Sequence, residues 1–245
     1  ASHKLGIVDQ PGGHKAHDTV TPFVGGAGVL VATLSAVFIV SQFFPPFTVR
    51  AVPFVFGVVA MFITGFADDI FHLGYKIRFL VQACVGAVMV FWGGVVIADL
   101  GDLGLGVVQL GGFGVVLTLV ATIGAINALN MIDGIDGLSG SLSTVCLLLI
   151  AFAAYRVGDM AYFALIVMIV GGLVGFLYFN LRYFHQRRAR CFLGDNGSMQ
   201  VGFFFAWLLA DFSQASPGQR IITPVTTLWL FAVPLIDTLS VMLRR

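Results

Sequence analysis

The sequence predicts an all-α protein, a polytopic transmembrane helix bundle with about eight spans. Three observations carry that prediction. Of the 245 residues, 58% are hydrophobic and only 10% are charged, with a mean hydropathy of +0.98. A soluble domain carries about a quarter charged residues, so a water-soluble fold of this length would have no way to hide so much apolar surface. Apolar runs near the ~20 residues needed to cross a bilayer recur along the whole chain, and lysine and arginine gather in alternate loops.

The runs fall near 23–44, 51–67, 77–98, 113–131, 138–155, 160–180, 197–212 and 222–243. The second and seventh are short, so their ends are the least defined. Pro45-Pro46 and Pro217-Gly218 punctuate loops. There is no long-period repeat and no stretch polar enough for a soluble domain, so residues 1–245 read as one integral-membrane domain. The chain starts without Met and stops at Arg244-Arg245, which reads as an internal piece of a longer protein. Gly171 and Gly175 form a GxxxG pattern, read as a close helix-packing face. Cys84 and Cys146 sit in apolar runs and Cys191 in a basic loop, a spacing that suggests neither disulfides nor zinc.

Orientation follows from the short-loop cations. With the first loop inside, the inner loops hold Lys4, Lys15, Lys76, Arg78, Arg182, Arg187, Arg188, Arg190, Arg244 and Arg245, against Arg50, Arg156 and Arg220 outside. All five histidines fall on that inner side, as do Asp9, Asp18, Asp68, Asp69, Asp133, Asp136 and Asp195. The outer loops hold Asp99, Asp102, Asp159 and Asp211. Reactive chemistry is therefore expected on the cytoplasmic face of the membrane. The net charge of +1 gives no reason to expect a nucleic-acid partner.

Every acidic residue is Asp. Asp is short and a poor helix former, so acids at helix ends are placed for a purpose. Asp68-Asp69 put two repelling carboxylates at a membrane boundary, where a cation, or phosphates neutralised by one, would justify them. Asn127 and Asn130, three apart, share a helix face that runs into Asp133-Gly-Ile-Asp136-Gly, a hard-oxygen nest suited to magnesium. Arg190-Cys-Phe-Leu-Gly194-Asp195-Asn-Gly197-Ser198 opens a helix whose free N–H groups favour anions, with Asp195 as the natural metal ligand. Asp237 lies several residues inside the last run, where an acid is a functional candidate by default. A basic loop around Lys15 and His17 feeds a glycine-opened helix at Gly25-Gly26. Metal, phosphates and a lipid boundary together suit phosphoryl transfer, in which positioning and charge neutralisation do most of the catalysis. A carboxylate-relay transporter is the rival, although transporter sites lie near the bilayer midplane.

These motifs resemble the polyprenyl-phosphate N-acetylhexosamine-1-phosphate transferase family. The Asp pair, the Asn-x-x-Asn-x-x-Asp-Gly-x-Asp-Gly-Leu run, Phe192 to Ser198, Gly6 to Asp9, Pro22 to Gly26 and Pro234-Leu-Ile-Asp237 match it in order. The resemblance implies transfer of a sugar-1-phosphate, GlcNAc-1-phosphate from UDP-GlcNAc, to undecaprenyl phosphate with release of UMP, starting cell-surface glycan synthesis. It implies Asp68, Asp69 and Asp195 as catalytic, and Asn130 and Asp195 as ligands of Mg2+, with Mn2+ as a substitute. Lys15, His17, Lys76, Asn127, Asp133, Asp136, Arg190 and Asp237 would bind substrate. The partners would be a UDP-sugar, the lipid phosphate and the bilayer, with room for a homodimer. The branch using UDP-MurNAc-pentapeptide has a lysine-rich insert after the Asp pair, where only Lys76 and Arg78 follow here. Against the family pattern, a first helix before Ala1 and a histidine-rich segment past Arg245 are missing, and His14 stands where Arg is usual.

Overall fold

In a computed structural model, all eight apolar segments are helical. The structure describes residues 8–9, 21–45, 48–102, 104, 106–183, 186, 188–214 and 220–244. Lys15, His17, His14 and Asp18 lie outside the described residues. The helices are α1 (Gly25–Phe43), α2 (Thr48–Phe71), α3 (Tyr75–Phe91), α4 (Phe113–Ile132), α5 (Leu138–Val157), α6 (Met160–Asn180), α7 (Gly194–Ser213), α8 (Pro224–Leu230) and α9 (Ala232–Arg244). Two short antiparallel ribbons complete the fold: β1 (Val8–Asp9) with β2 (Thr21–Pro22), and β3 (Asp99–Asp102) with β4 (Val107–Gln109).

The helical class holds, but the count of spans is coarser than eight. Among the described residues, five helices (α1, α2, α4, α5 and α6) are long and apolar enough to cross a membrane. They become six if α8 and α9, bent by 70° at Phe231, form one broken span. The 17-residue α3 is only about 25 Å long. The helix α7 has a different reason for falling short. It is surrounded by protein, with 16 of its 20 residues buried, so its surface need not resemble lipid.

That central helix organises the bundle. It packs against α2 and α4 most extensively and against α1 as well, while α6 lies between α1 and α5. Phe203, Phe204, Phe205 and Trp207 are almost fully buried, and Phe54 of α2 packs against the rings of Phe203, Phe204 and Trp207 with centroids 5.5–6.1 Å away. Inside a bilayer such burial gains dispersion contacts rather than release of water, so close fit decides the packing. Glycines supply that fit: a Cβ on Gly202 would sit 2.6 Å from Ile126 Cα, and one on Gly57 would sit 2.3 Å from the Phe203 ring. The GxxxG reading fails on this point. Gly171 and Gly175 are exposed with open space beside them, and Gly172 makes the close approach, to Ala32 of α1.

The bundle has two polar ends. At one end Arg50 pairs with Asp211 at 2.8 Å, Tyr162 donates to Asp211, and Arg220 pairs with Asp99 of β3. At the other end meet the starts of α1, α3, α5 and α7 and the ends of α2, α4 and α6. All the inner-side acids that the structure describes with side chains lie there, so the fold keeps the two groups of charge apart as the loop count predicts.

Candidate functional site

Asp68 and Asp69 occupy the last turn of α2, which closes at His72 in the left-handed region (φ 51°) with His72 N–H donating to the Asp68 carbonyl at 2.9 Å. Only three residues separate α2 from α3. The chain therefore turns back at once and sets Arg78, one turn into α3, against the Asp pair. Arg78 donates from Nη1 to Asp68 Oδ2 at 2.6 Å and from Nη2 to Asn130 Oδ1 at 3.1 Å. Asn130, near the end of α4, donates from Nδ2 to Asp195 Oδ1 at 2.6 Å and to Ser198 Oγ at 3.0 Å. The Asp195 carboxyl also lies within hydrogen-bonding reach of Asp68. Four helices thus converge on one chain of contacts, Asp68–Arg78–Asn130–Asp195, closed by Asp195 against Asp68. Asp68 is only 4% exposed.

The two acids of the pair face different partners. Asp69 points to the start of α7, accepting from Asp195 N at 2.9 Å, from Asn196 N at 3.2 Å and from Asn196 Nδ2. The sequence reading offered the free N–H groups at this helix start to a phosphate. In the fold an internal carboxylate takes two of them, and the helix start is capped from α2. Gly194 makes this geometry accessible, since its φ of +77° is one that glycine adopts without strain. Gly65 permits the close approach of the two helices, because a Cβ there would lie 2.3 Å from Asp195 O. Gly25 N and Gly26 N donate to the carbonyls of Phe192 and Leu193, so the glycine-opened start of α1 is joined to the same place.

The remaining expected residues are distributed around this centre. Asn127 donates to Gln82 of α3 at 2.7 Å and to Ile123 O at 2.8 Å, so it ties α4 to α3 one turn deeper than Asn130. Asp133 follows α4 and accepts from Ser139 Oγ. Burial raises its carboxyl to about 7, and the nearby charges of Asp195, Asp69 and Asp136 push the same way against the Ser139 bond. Asp136 pairs with Arg182, and Gly137 N donates to Asn180 Oδ1 at 2.6 Å, fixing the turn between α4 and α5. Lys76 and Arg190 are exposed at the same end, with no contact joining either to the acid network. Asp237 is exposed on α9, past the bend, and no contact brings it to the centre.

Arg78, Gln82, Asn196 and Ser198 complete the site, although none of them was given a site role from the sequence. The signal was there for two of them. Arg78 and Gln82 are four apart on α3, as Asn127 and Asn130 are three apart on α4, so two polar pairs face each other. Arg78 was read only as one of the inner cations. Among the described residues no three His, Cys, Asp or Glu side chains form a ready metal cage. Two touching carboxylates with an amide and a hydroxyl beside them still offer the few hard oxygens that magnesium takes when phosphates and waters supply the rest.

An apolar helical bundle with a charged network built where seven helix ends meet is the make-up of a multi-pass membrane protein. The comparisons with known proteins make the class particular. The sequence model of Glycosyl transferase family 4 matches residues 51–213, and the chain belongs to that family. It is 36% identical to the undecaprenyl-phosphate alpha-N-acetylglucosaminyl 1-phosphate transferase of Yersinia pestis, over 99% of this chain and 65% of that protein. Its identity to the Escherichia coli K12 protein of the same name is 35%, over 99% of this chain and 64% of the relative. The Haemophilus influenzae relative, again of that name, is 36% identical over 98% and 66%. The chain therefore spans about two thirds of the length of these relatives.

Proposed function

We propose that the full-length protein transfers GlcNAc-1-phosphate from UDP-GlcNAc to undecaprenyl phosphate and releases UMP. A phosphate oxygen of the lipid attacks the phosphorus that bears the sugar. The pyrophosphate P–O bond breaks, and UMP leaves with its electron pair. The observation that carries this reading is the convergence of Asp68, Arg78, Asn130 and Asp195 from four helices at one end of the bundle. The names of the relatives support the substrates. Magnesium, with manganese as a substitute, would neutralise the pyrophosphate charge when held by Asp195 and Asn130. In this arrangement the Asn130 amide gives its oxygen to Arg78, so ligation requires the amide to turn over. Arg78 is paired with Asp68 and offers a guanidinium to phosphate oxygens. A lipid phosphate is largely ionised at neutral pH, so Asp68 need only orient it.

In this reading Asp133 and Asp136 line the nucleotide side, Lys76 and Arg190 serve phosphates, and Lys15, His17, Asn127 and Asp237 contribute to substrate binding. The cation count supports a cytoplasmic site in a bacterial inner membrane, and the up-and-down run of helices supports eight crossings with the last one broken. The three-residue link from α2 to α3 leaves no room for a lysine-rich insert, which favours UDP-GlcNAc over UDP-MurNAc-pentapeptide. The exposed Gly171 and Gly175 offer a close-packing face to a second copy, and cross-linking in membranes tests that homodimer. The test of function is an exchange assay in which labelled UMP enters UDP-GlcNAc only when the product lipid is present. Exchange with the pentapeptide nucleotide but not with UDP-GlcNAc would refute the choice of sugar.

A further inference from the structure

The adjacent carboxylates Asp68 and Asp69 are alike in sequence and unlike in space. Both oxygens of Asp69 are taken: Oδ1 by Asp195 N, and Oδ2 by Asn196 N and Asn196 Nδ2. Asn196 is fully buried, and its amide also reaches Phe23 O at 3.4 Å, in the segment that leads into α1. A Cβ on Gly194 would lie 2.9 Å from Asp69 Oδ2, and one on Gly26 would fall on Asn196 Oδ1. The backbone at Gly194 therefore closes on this carboxylate, and the one at Gly26 closes on the Asn196 amide that holds it. A carboxylate so held cannot turn to a substrate or a metal without stripping α7 of its cap. Resting on the function proposed above, we infer that Asp69 is a positioning residue: it caps α7 from α2 and so fixes Asp195 against Asp68 and Asn130, while Asp68 alone of the pair faces the reacting groups.

The physical argument is one of charge and geometry. Two donated N–H groups and the positive end of α7 offset part of the cost of burying the Asp69 carboxyl. The same bonds hold the first turn of α7, whose second residue is Asp195. Loss of the cap lets that turn fray, and a shift of about 1 Å in a reacting group costs on the order of 100-fold in rate. Asp69→Asn retains one accepting oxygen and turns an NH2 toward the N–H groups. The exchanged pair, Asp69→Asn with Asn196→Asp, returns a carboxylate–amide contact and keeps a negative charge in the first turn of α7.

The experiment uses full-length protein in membranes and in detergent, as wild type, Asp69→Asn, the exchanged pair and Asp68→Asn. Asp69→Asn is expected to lower the exchange rate about 10- to 100-fold and to raise the magnesium half-saturation several-fold. It should also lower the thermal midpoint without substrate and leave the shape of the pH–rate profile as in wild type. The exchanged pair is expected to recover the midpoint and at least about 10-fold of the rate. Asp68→Asn is expected to lose activity with its midpoint unchanged or raised, and no exchange with Asn196→Asp rescues it. An Asp69→Asn protein with a wild-type midpoint, an altered pH profile, or no rescue by the exchange would overturn the positioning role. Absence of exchange activity in the wild type would overturn the function itself, and the midpoints of the same four proteins would still decide the cap.

Discussion

Replacing Gly65 with alanine tests the geometry of the site through one added methyl group. The new Cβ would lie 2.3 Å from Asp195 O and 2.4 Å from Asn196 N and Cα, all backbone atoms that cannot rotate away. An ordinary contact needs about 3.4 Å, so the start of α7 must retreat from α2 by about 1 Å. That retreat lengthens the Asp69–Asp195 N bond and pulls Asp195 from Asp68 and Asn130 together. A misplacement of this size costs about 100-fold in rate, while overpacking at one site costs about 1–3 kcal/mol of stability. The expected outcome for Gly65→Ala is thus a folded, inserted protein that has lost most of its UMP exchange. Gly28→Ala and Gly171→Ala, where nothing lies within 4 Å, serve as controls and should keep wild-type rates. The assay is radiolabelled exchange in membranes, with protein amount fixed by immunoblot and folding by a detergent thermal shift. A Gly65→Ala protein within about threefold of wild type would refute the argument that α2 and α7 set the site by contact.

The other predictions concern charge, metal and topology. Asp195→Asn should cost about 3–4 kcal/mol of transition-state stabilisation, whereas Asn130→Ala should cost less and recover partly at high magnesium; a magnesium titration of kcat for both compares them, and equal, unrescued losses would count against a ligand role for Asn130. Asp133 has a folded pKa near 7, above the ordinary carboxylate value. Its burial therefore favours the protonated form, and stability should fall as pH rises from about 4 to about 7, then level off. At roughly 1.4 kcal/mol for each pH unit the loss is at most about 4 kcal/mol, and Asp133→Asn should flatten this slope in thermal midpoints taken across that range. In a background freed of native cysteines, Asp102→Cys should react with an impermeant maleimide applied from outside and Arg188→Cys should not; the reverse result would invert the orientation.

The sequence by itself determined the helical class, the eight apolar segments and the gathering of Asp68, Asp69, Asp133, Asp136 and Asp195 at one end, because period, hydropathy and loop charge are local quantities. Asp68, Asn130 and Asp195 were also legible as chemically odd positions in an apolar chain, and they meet. The sequence could not apportion roles. Asp68 and Asp69 are neighbours in sequence, yet α2 turns them about 100° apart, one toward Arg78 and the other onto the N–H groups of α7. Only the packing decided that. Arg78 looked like one more inner cation until the short link to α3 set it between Asp68 and Asn130. The glycines divide in the same way. Gly171 and Gly175 have the spacing of a packing motif and face open space, while Gly65 and Gly202 carry no motif and lie where two backbones touch. Spacing along a helix fixes which residues share a face, but the neighbour that face meets is set by long-range contacts, and those belong to the tertiary structure alone.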